Sequence, residues 1–408
     1  MLQRGVWLYL TAAAMGAAPA VAAEESDFGA CLQQIGTLAR DRGLPAEMVG
    51  RVLGGLKPRS RVVALDQSQP EFDRSFVEYL AGRVNKTRIW AGRLALIEQA
   101  ELLVRLTREY GVPGHYLVAI WGLETNYGNY LGSTPVLDAL ATLACSPRRP
   151  KLFTEQLLRA LQVIVRDGLQ PEQMLGSWAG AMGHTQFMPS TWLEHAVDGD
   201  GDGRIDLISS PADALASAAR YLSRLGWQRG QRWGREVRLP AGFDFAAIDP
   251  EQPRSLREWR ALGLRRADRG PLPDAGFDGR LLLPMGRHGP VFLVYPNFDV
   301  LLQWNRSEAY AVAVGHLADR IVGGPPLAGL PEANVPMPSR ARVRELQQRL
   351  AELGLDPGGV DGRMGPATRR AIRAFQIREG LVADGWPGSE VFEAMGLKSE
   401  ANASSSTP

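Results

Sequence analysis

One acid stands in an apolar stretch of this 408-residue chain. In "AIWGLETNYG" (119–128), Glu124 follows apolar and small residues from position 117 to 122 and precedes Tyr127 and Gly128. A carboxyl in such surroundings is costly to ionise. Its pKa rises, and it can hand over a proton near neutral pH. Cleavage of a glycosidic bond needs that kind of acid. Further along, "SWAGAMGHTQFMPSTW" (177–192) carries almost no charge and sets small residues, Gln186 and aromatics around a turn. No second carboxylate stands in a setting like that of Glu124, although most glycosidases use a pair.

A different chemistry is written in "DGDGDGRIDLISSPAD" (198–213). Acids at positions 1, 3 and 5 and a Gly at 6 open an EF-hand loop, which binds a hard cation through oxygen. Ser209 occupies position 12, where that loop has Glu. The alternative is a metal-free Asp-Gly turn. His184 reads as a hydrogen-bonding neighbour, and no His/Cys cluster has zinc spacing.

The elements that must position these residues are mostly helical. "TRIWAGRLALIEQAELLVRLTREYG" predicts one long helix stopped by Gly111 and Pro113. Residues 115–125 predict a buried helix with Glu124 near its C-terminal end. Residues 135–144, 152–167 and 211–225 continue the helical pattern. Between 227 and 296, short apolar runs bounded by Gly and Pro predict strands, with a short helix at "SLREWRALGL". "FDVLLQWNRSEAYAVAVGHLADRI" returns to helix. The fold class is therefore α+β and mainly helical. Residues 323–339 are rich in Pro, Gly and Ala and read as a semi-rigid linker. In 340–398, Val343, Leu346, Leu350 and Leu353 share one helix face, and Ile372 and Phe375 mark a second. The turns "GLDPGGVDG" and "GLVADGWPG" are loosely alike. Residues 399–408 are polar and read as a disordered tail.

Arg4, an apolar stretch over 6–18 and "APAVAA" predict a signal peptide over 1–23 and an exported, periplasmic product that is soluble once it is removed. Cys31 lacks a lipobox. It is one of two cysteines, and an exported chain permits their pairing, with two buried thiols as the alternative. A net charge of +2 gives no basis for nucleic-acid binding, and no segment predicts a transmembrane helix.

Glu124 with its flanks, and "A-G-A-M-G-x-x-Q-F-M-P-S" after it, resemble the MltB-type lytic murein transglycosylases over about 28–317, most of the chain, and the catalytic domain this implies covers 24–322. "V-D-G-R-M-G-P-A-T-R-R-A-I-R-A-F-Q" resembles the three-helix peptidoglycan-binding domain of wall enzymes. The resemblance implies a lysozyme-like catalytic domain with a small β subdomain. It implies non-hydrolytic cleavage between N-acetylmuramic acid and N-acetylglucosamine, leaving 1,6-anhydromuramoyl ends in wall turnover or remodelling. Glu124 would be acid and then base, and no cofactor would be needed. Glycan strands are the implied partner, with wall-synthesis proteins open. Ser177, Gln186 and Tyr127 match cleft positions, with core packing as the alternative for Tyr127. "QWNRSEAY" (303–310) matches the family's "Y-N-x-S-x-x-Y" and carries over Asn305, Ser307 and Tyr310. Trp304 replaces a Tyr, keeping an aromatic face without the hydroxyl. The family's longer acidic loop implies Asp198, Asp200, Asp202, Asp213 and the Arg204 carbonyl as structural Ca²⁺ ligands. The rival readings are a water-using muramidase and a non-catalytic wall-binding scaffold.

Overall fold

The computed structural model describes residues 18–68, 75–249, 252–331 and 337–397. The expected signal peptide lies outside them apart from the backbone of 18–23. Residues 332–336 of the expected linker, residue 398 and the tail lie outside them too. The described residues fold as two compact units, one built from 18–68, 132–182 and 186–194, the other from the remaining described residues.

The first unit holds helices α1 (Ala18–Asp41), α2 (Ala46–Gly54), α3 (Ser60–Ser68), α8 (Val136–Ala144), α9 (Pro150–Asp167) and α10 (Pro189–His195). A two-stranded antiparallel ribbon joins β1 (Thr134–Pro135) to β2 (Leu175–Gly176). Every residue of α8 is buried, so this nine-residue helix forms the unit's axis. Its one acid, Asp138, is held by partners. Arg59 Nε donates to it at 2.9 Å, and the Lys57 amide at 2.9 Å. Cys31 of α1 is bonded to Cys145, the residue after α8, with Cα atoms 5.9 Å apart. The pairing that the sequence left open is thus made.

The second unit holds α4 (Phe76–Arg83), α5 (Lys86–Glu98), α6 (Ala100–Tyr110), α7 (Gly114–Thr125), α11 (Pro211–Arg224), α12 (Leu256–Ala261), α13 (Pro296–Trp304) and α14 (Glu308–Ile321). Ser75 and Glu78 start α4 with a reciprocal capping box. The single long helix expected over 87–111 is two helices, broken at Gln99. Buried residues on both sides of the break, Ile89 and Ala95 before it and Leu103 and Leu106 after it, stay in phase at 3.6 residues per turn. Periodicity alone could not see the break. The helix expected from 298 onward also breaks, because Ser307 caps a new start: its Oγ accepts the Tyr310 amide at 3.2 Å.

A five-stranded antiparallel sheet has the order β4 (Arg254–Ser255), β6 (Asp278–Leu282), β8 (Val291–Val294), β3 (Gly234–Arg238) and β5 (Arg265–Arg266). A further strand, β7 (Pro284–Arg287), lies between β6 and β8 in the chain. In register, Val237 faces Val291 and Arg280 faces Val294.

Helices α15 (Arg340–Glu352), α16 (Pro366–Arg378) and α17 (Ser389–Ala394) have a core of their own around Leu346, Leu350, Ile372, Phe375 and Val391. The two similar turns are stapled alike by buried amides. Gln347 donates to Asp361 and accepts from Gly362. Gln376 donates to Asp384 and accepts from Gly385. These helices are also docked. Trp386 is buried in the main core of the unit, and Arg369 Nη1 donates to the carbonyls of Leu283 and Pro284.

Candidate active site

Helix α7 is apolar on every side: Leu117, Val118, Ala119 and Ile120 have no exposed surface. It is a core element that delivers one acid at its C-terminal end. Glu124 itself keeps a partial opening to solvent, as a group that meets an incoming molecule must. Two donors converge on its Oε1. The Trp304 indole Nε1–H reaches it at 3.1 Å, and the Tyr310 hydroxyl makes a short hydrogen bond. Trp304 ends α13 and Tyr310 lies in the first turn of α14. The break at 305–307 therefore places both donors on one oxygen.

Burial raises the pKa of Glu124, and the bonds from Tyr310 and Trp304 and the positive Arg83 pull partly the other way. The Tyr310 hydroxyl is pushed far up by burial and by the neighbouring Glu124, so it remains a donor. The loss of a hydroxyl at Trp304 is thus repaired by its indole N–H. Its ring also lies 5.4 Å from that of Tyr221, which leaves Trp304 an aromatic wall beside the acid.

The other expected residues divide. Ser307 sets the start of α14, as described. Asn305 is exposed and follows α13, its amide donating to Leu301 O at 3.2 Å. Tyr127 takes the packing alternative. Its hydroxyl donates to Arg88 O at 2.7 Å, and its ring lies 5.9 Å from Trp121. A Cβ on Gly92 or Gly122 would come within 2.5 Å of it. Ser177 and Gln186 belong to the first unit. There Ser177 Oγ accepts the Ala181 amide at 3.0 Å, and Gln186 has a left-handed backbone at φ 49°. A non-glycine residue is held there only by its surroundings; the buried Met182 and Phe187 pair across this turn.

Sequence reasoning missed Arg83 and Tyr79. Arg83 Nη1 donates to Leu123 O at 3.4 Å, and its guanidinium lies 5.5 Å from the Tyr79 ring. The i, i+4 spacing places the two on one helix face, but nothing in the sequence singles out that face.

The acidic loop winds back on itself, bringing the Asp198, Asp200 and Asp202 carboxylates within 4.8 Å of one another. The Gly203 amide donates to Asp198 at 2.8 Å and the Arg204 amide to Asp202 at 2.8 Å. Three carboxylates so close repel one another, and their hard oxygens suit Ca²⁺. Asp213 does a different job in the structure. It is buried, and its two oxygens accept the Gly199 and Asp206 amides, each at 2.7 Å. Burial raises its pKa, with Asp200 and Asp198 adding to the effect.

Residues 27–319 match the family described as Transglycosylase SLT domain. The chain belongs to that family. Residues 339–395 of this SLT-family chain match a peptidoglycan binding domain. It is 36% identical over 227 residues to membrane-bound lytic murein transglycosylase B of Escherichia coli K12, covering 54% of this chain and 60% of that relative. A crystal structure of SltB3 from Pseudomonas aeruginosa with NAG-anhNAM-pentapeptide is similar at a TM-score of 0.85 and 44% identity, over 91% of this chain and 99% of that one. Lytic transglycosylase Slt35 of Escherichia coli, solved with calcium, is similar at 0.62 and 30%, over 72% of this chain and 92% of that one.

Proposed function

We propose that this SLT-family chain is a lytic murein transglycosylase that cleaves peptidoglycan glycan strands without water, and that Glu124 is its one catalytic acid and base. The observation that carries this reading is the Glu124 carboxyl: half-buried, raised in pKa, and held by two neutral donors on one oxygen. The charged group that acts on it is Arg83, a cation and not a second carboxylate. Protonated Glu124 gives its proton to the glycosidic oxygen as the bond from C1 breaks. The ionised carboxylate then takes the proton of the muramic C6 hydroxyl as its oxygen bonds to C1. The acid ends as it began, and no water enters. Tyr310 and Trp304 hold the carboxylate in its ionised phase, and Trp304 and Asn305 supply sugar contacts; the likeness of their motif to the family's gives Ser177 and Gln186 a sugar-binding role of their own.

The reading is tested by mass spectrometry of products released from purified sacculi. Anhydromuramoyl ends, lighter by one water than reducing ends, are expected. Reducing ends alone would make the chain a hydrolysing muramidase, and no release would leave a binding scaffold.

The C-terminal helices bind the wall and hold the enzyme near its polymer. Export to the periplasm is supported by the Cys31–Cys145 bond, which persists in oxidising compartments. No helix among the described residues is long and apolar enough to cross a membrane.

Asp198, Asp200 and Asp202 would hold Ca²⁺, with the Arg204 carbonyl as a further ligand, while Asp213 braces the loop through the Gly199 and Asp206 amides. The ion's part is structural: it neutralises the converging carboxylates and takes no part in proton transfer. A site formed only in the folded state stabilises by mass action, about 2.7 kcal/mol at one hundred times Kd. Calcium should raise the melting temperature and chelator lower it, with turnover nearly unchanged. Equal melting curves in both would remove the metal.

A further inference from the structure

Residue 184 stands in the motif around Gln186, yet its contacts run to the end of α7. Its ring is buried and accepts the Trp121 indole N–H on Nδ1 at 3.0 Å, which places its own proton on Nε2. Burial also holds its pKa down, against the opposing charge of Asp206. The ring fills the space left by a missing side chain at Gly128, where a Cβ would come within 2.4 Å of it. Its backbone is fixed from two sides. The Leu207 carbonyl accepts its amide at 2.9 Å, and its own carbonyl accepts the Thr125 hydroxyl at 2.7 Å.

Trp121 is also the hub of the turn that follows Glu124. Its carbonyl accepts the Asn126 amide, the Tyr127 amide at 3.3 Å and the Thr125 hydroxyl at 3.3 Å. Asn126 and Tyr127 are two successive non-glycine residues with left-handed backbones, φ 51° and 61°. Such a pair persists only where its surroundings over-determine it. Among those surroundings are the Trp121 carbonyl on one side and the His184 ring beneath Gly128 on the other.

We infer that His184 is a positioning residue for the catalytic carboxyl: through Trp121 and Gly128 it locks the left-handed turn that ends α7, and so fixes where Glu124 points. This rests on the reading of Glu124 as the acid. The effect is on the placement of a reacting group, so it belongs in kcat and not in substrate binding.

In the full-length protein, His184→Leu removes the acceptor at similar size. It should lower kcat by about ten- to a hundredfold, the order expected for a misplacement near 1 Å, with KM within about twofold. His184→Asn keeps an acceptor near the place of Nδ1 and should recover most of the loss. Trp121→Phe removes the donor and should slow kcat likewise, and it carries the test if the leucine variant does not fold. The double variant should be no slower than the worse single one, as for two halves of one contact. A leucine variant with kcat within twofold of the parent, an asparagine variant as slow as the leucine one, or additive losses in the cycle would each overturn the assignment. Glu124→Gln, assayed alongside, separates the two ideas. If it is inert while His184→Leu turns over normally, only the positioning role falls. If it turns over, the reading of Glu124 falls and takes the positioning role with it.

Discussion

Glu124→Gln should abolish glycan cleavage while leaving the protein at least as stable at neutral pH. The amide matches the carboxyl in shape and can still accept from Tyr310 and Trp304, but it has no proton to give the glycosidic oxygen. A general acid is worth roughly a hundred- to ten-thousandfold. In the proposed mechanism the same group also serves as base, so the loss should sit at the upper end of that range. The stability sign follows from the raised pKa. A carboxyl whose folded pKa lies above its unfolded value binds its proton more tightly in the fold. Its ionisation then opposes folding. That penalty is absent below the unfolded pKa and complete above the folded one. Gln is neutral at every pH, so the variant should melt at the parent's temperature in acid and at or above it near neutrality. For the parent, kcat/KM should fall as pH rises through the Glu124 pKa, since only the protonated form can start the reaction. Turnover within tenfold of the parent by folded Glu124→Gln would end the assignment.

The second large effect concerns the first unit and is one of stability. Cys31 and Cys145 are 114 residues apart in the chain. Cross-linking over about a hundred residues removes chain entropy from the unfolded state worth ~4.7 kcal/mol in the entropic account. Replacing both cysteines by Ser should therefore lower the unfolding free energy by about 4 kcal/mol, a large share of a typical domain's stability. Denaturant unfolding with and without dithiothreitol gives the measurement: the parent's midpoint should drop on reduction to that of the double variant. A midpoint that does not move on reduction would show that the cross-link adds nothing to the fold.

Much of the site was legible because it is local. Glu124 and its apolar approach lie on one stretch of α7, and the burial that raises its pKa follows from the residues on either side. The Asp198–Asp202 spacing likewise dictated three converging carboxylates, since an alternating Asp-Gly run wound back by its own amides has few other ways to point them. Two donors on one oxygen could not be read. Trp304 and Tyr310 are 180 and 186 residues from Glu124, and their convergence depends on a helix break that a Ser cap imposes within a continuous apolar pattern. The roles of Ser307, Tyr127 and Asp213 had the same origin. Each has a residue type suited to a ligand or a wall, yet nearby N–H, carbonyl or glycine partners turned it to holding a turn or filling the core. Sequence set which groups could do chemistry, because that depends on atoms each residue carries. Tertiary structure decided which of them face the same point, because hydrogen bonds and close packing act at a few ångströms between residues that the chain keeps far apart.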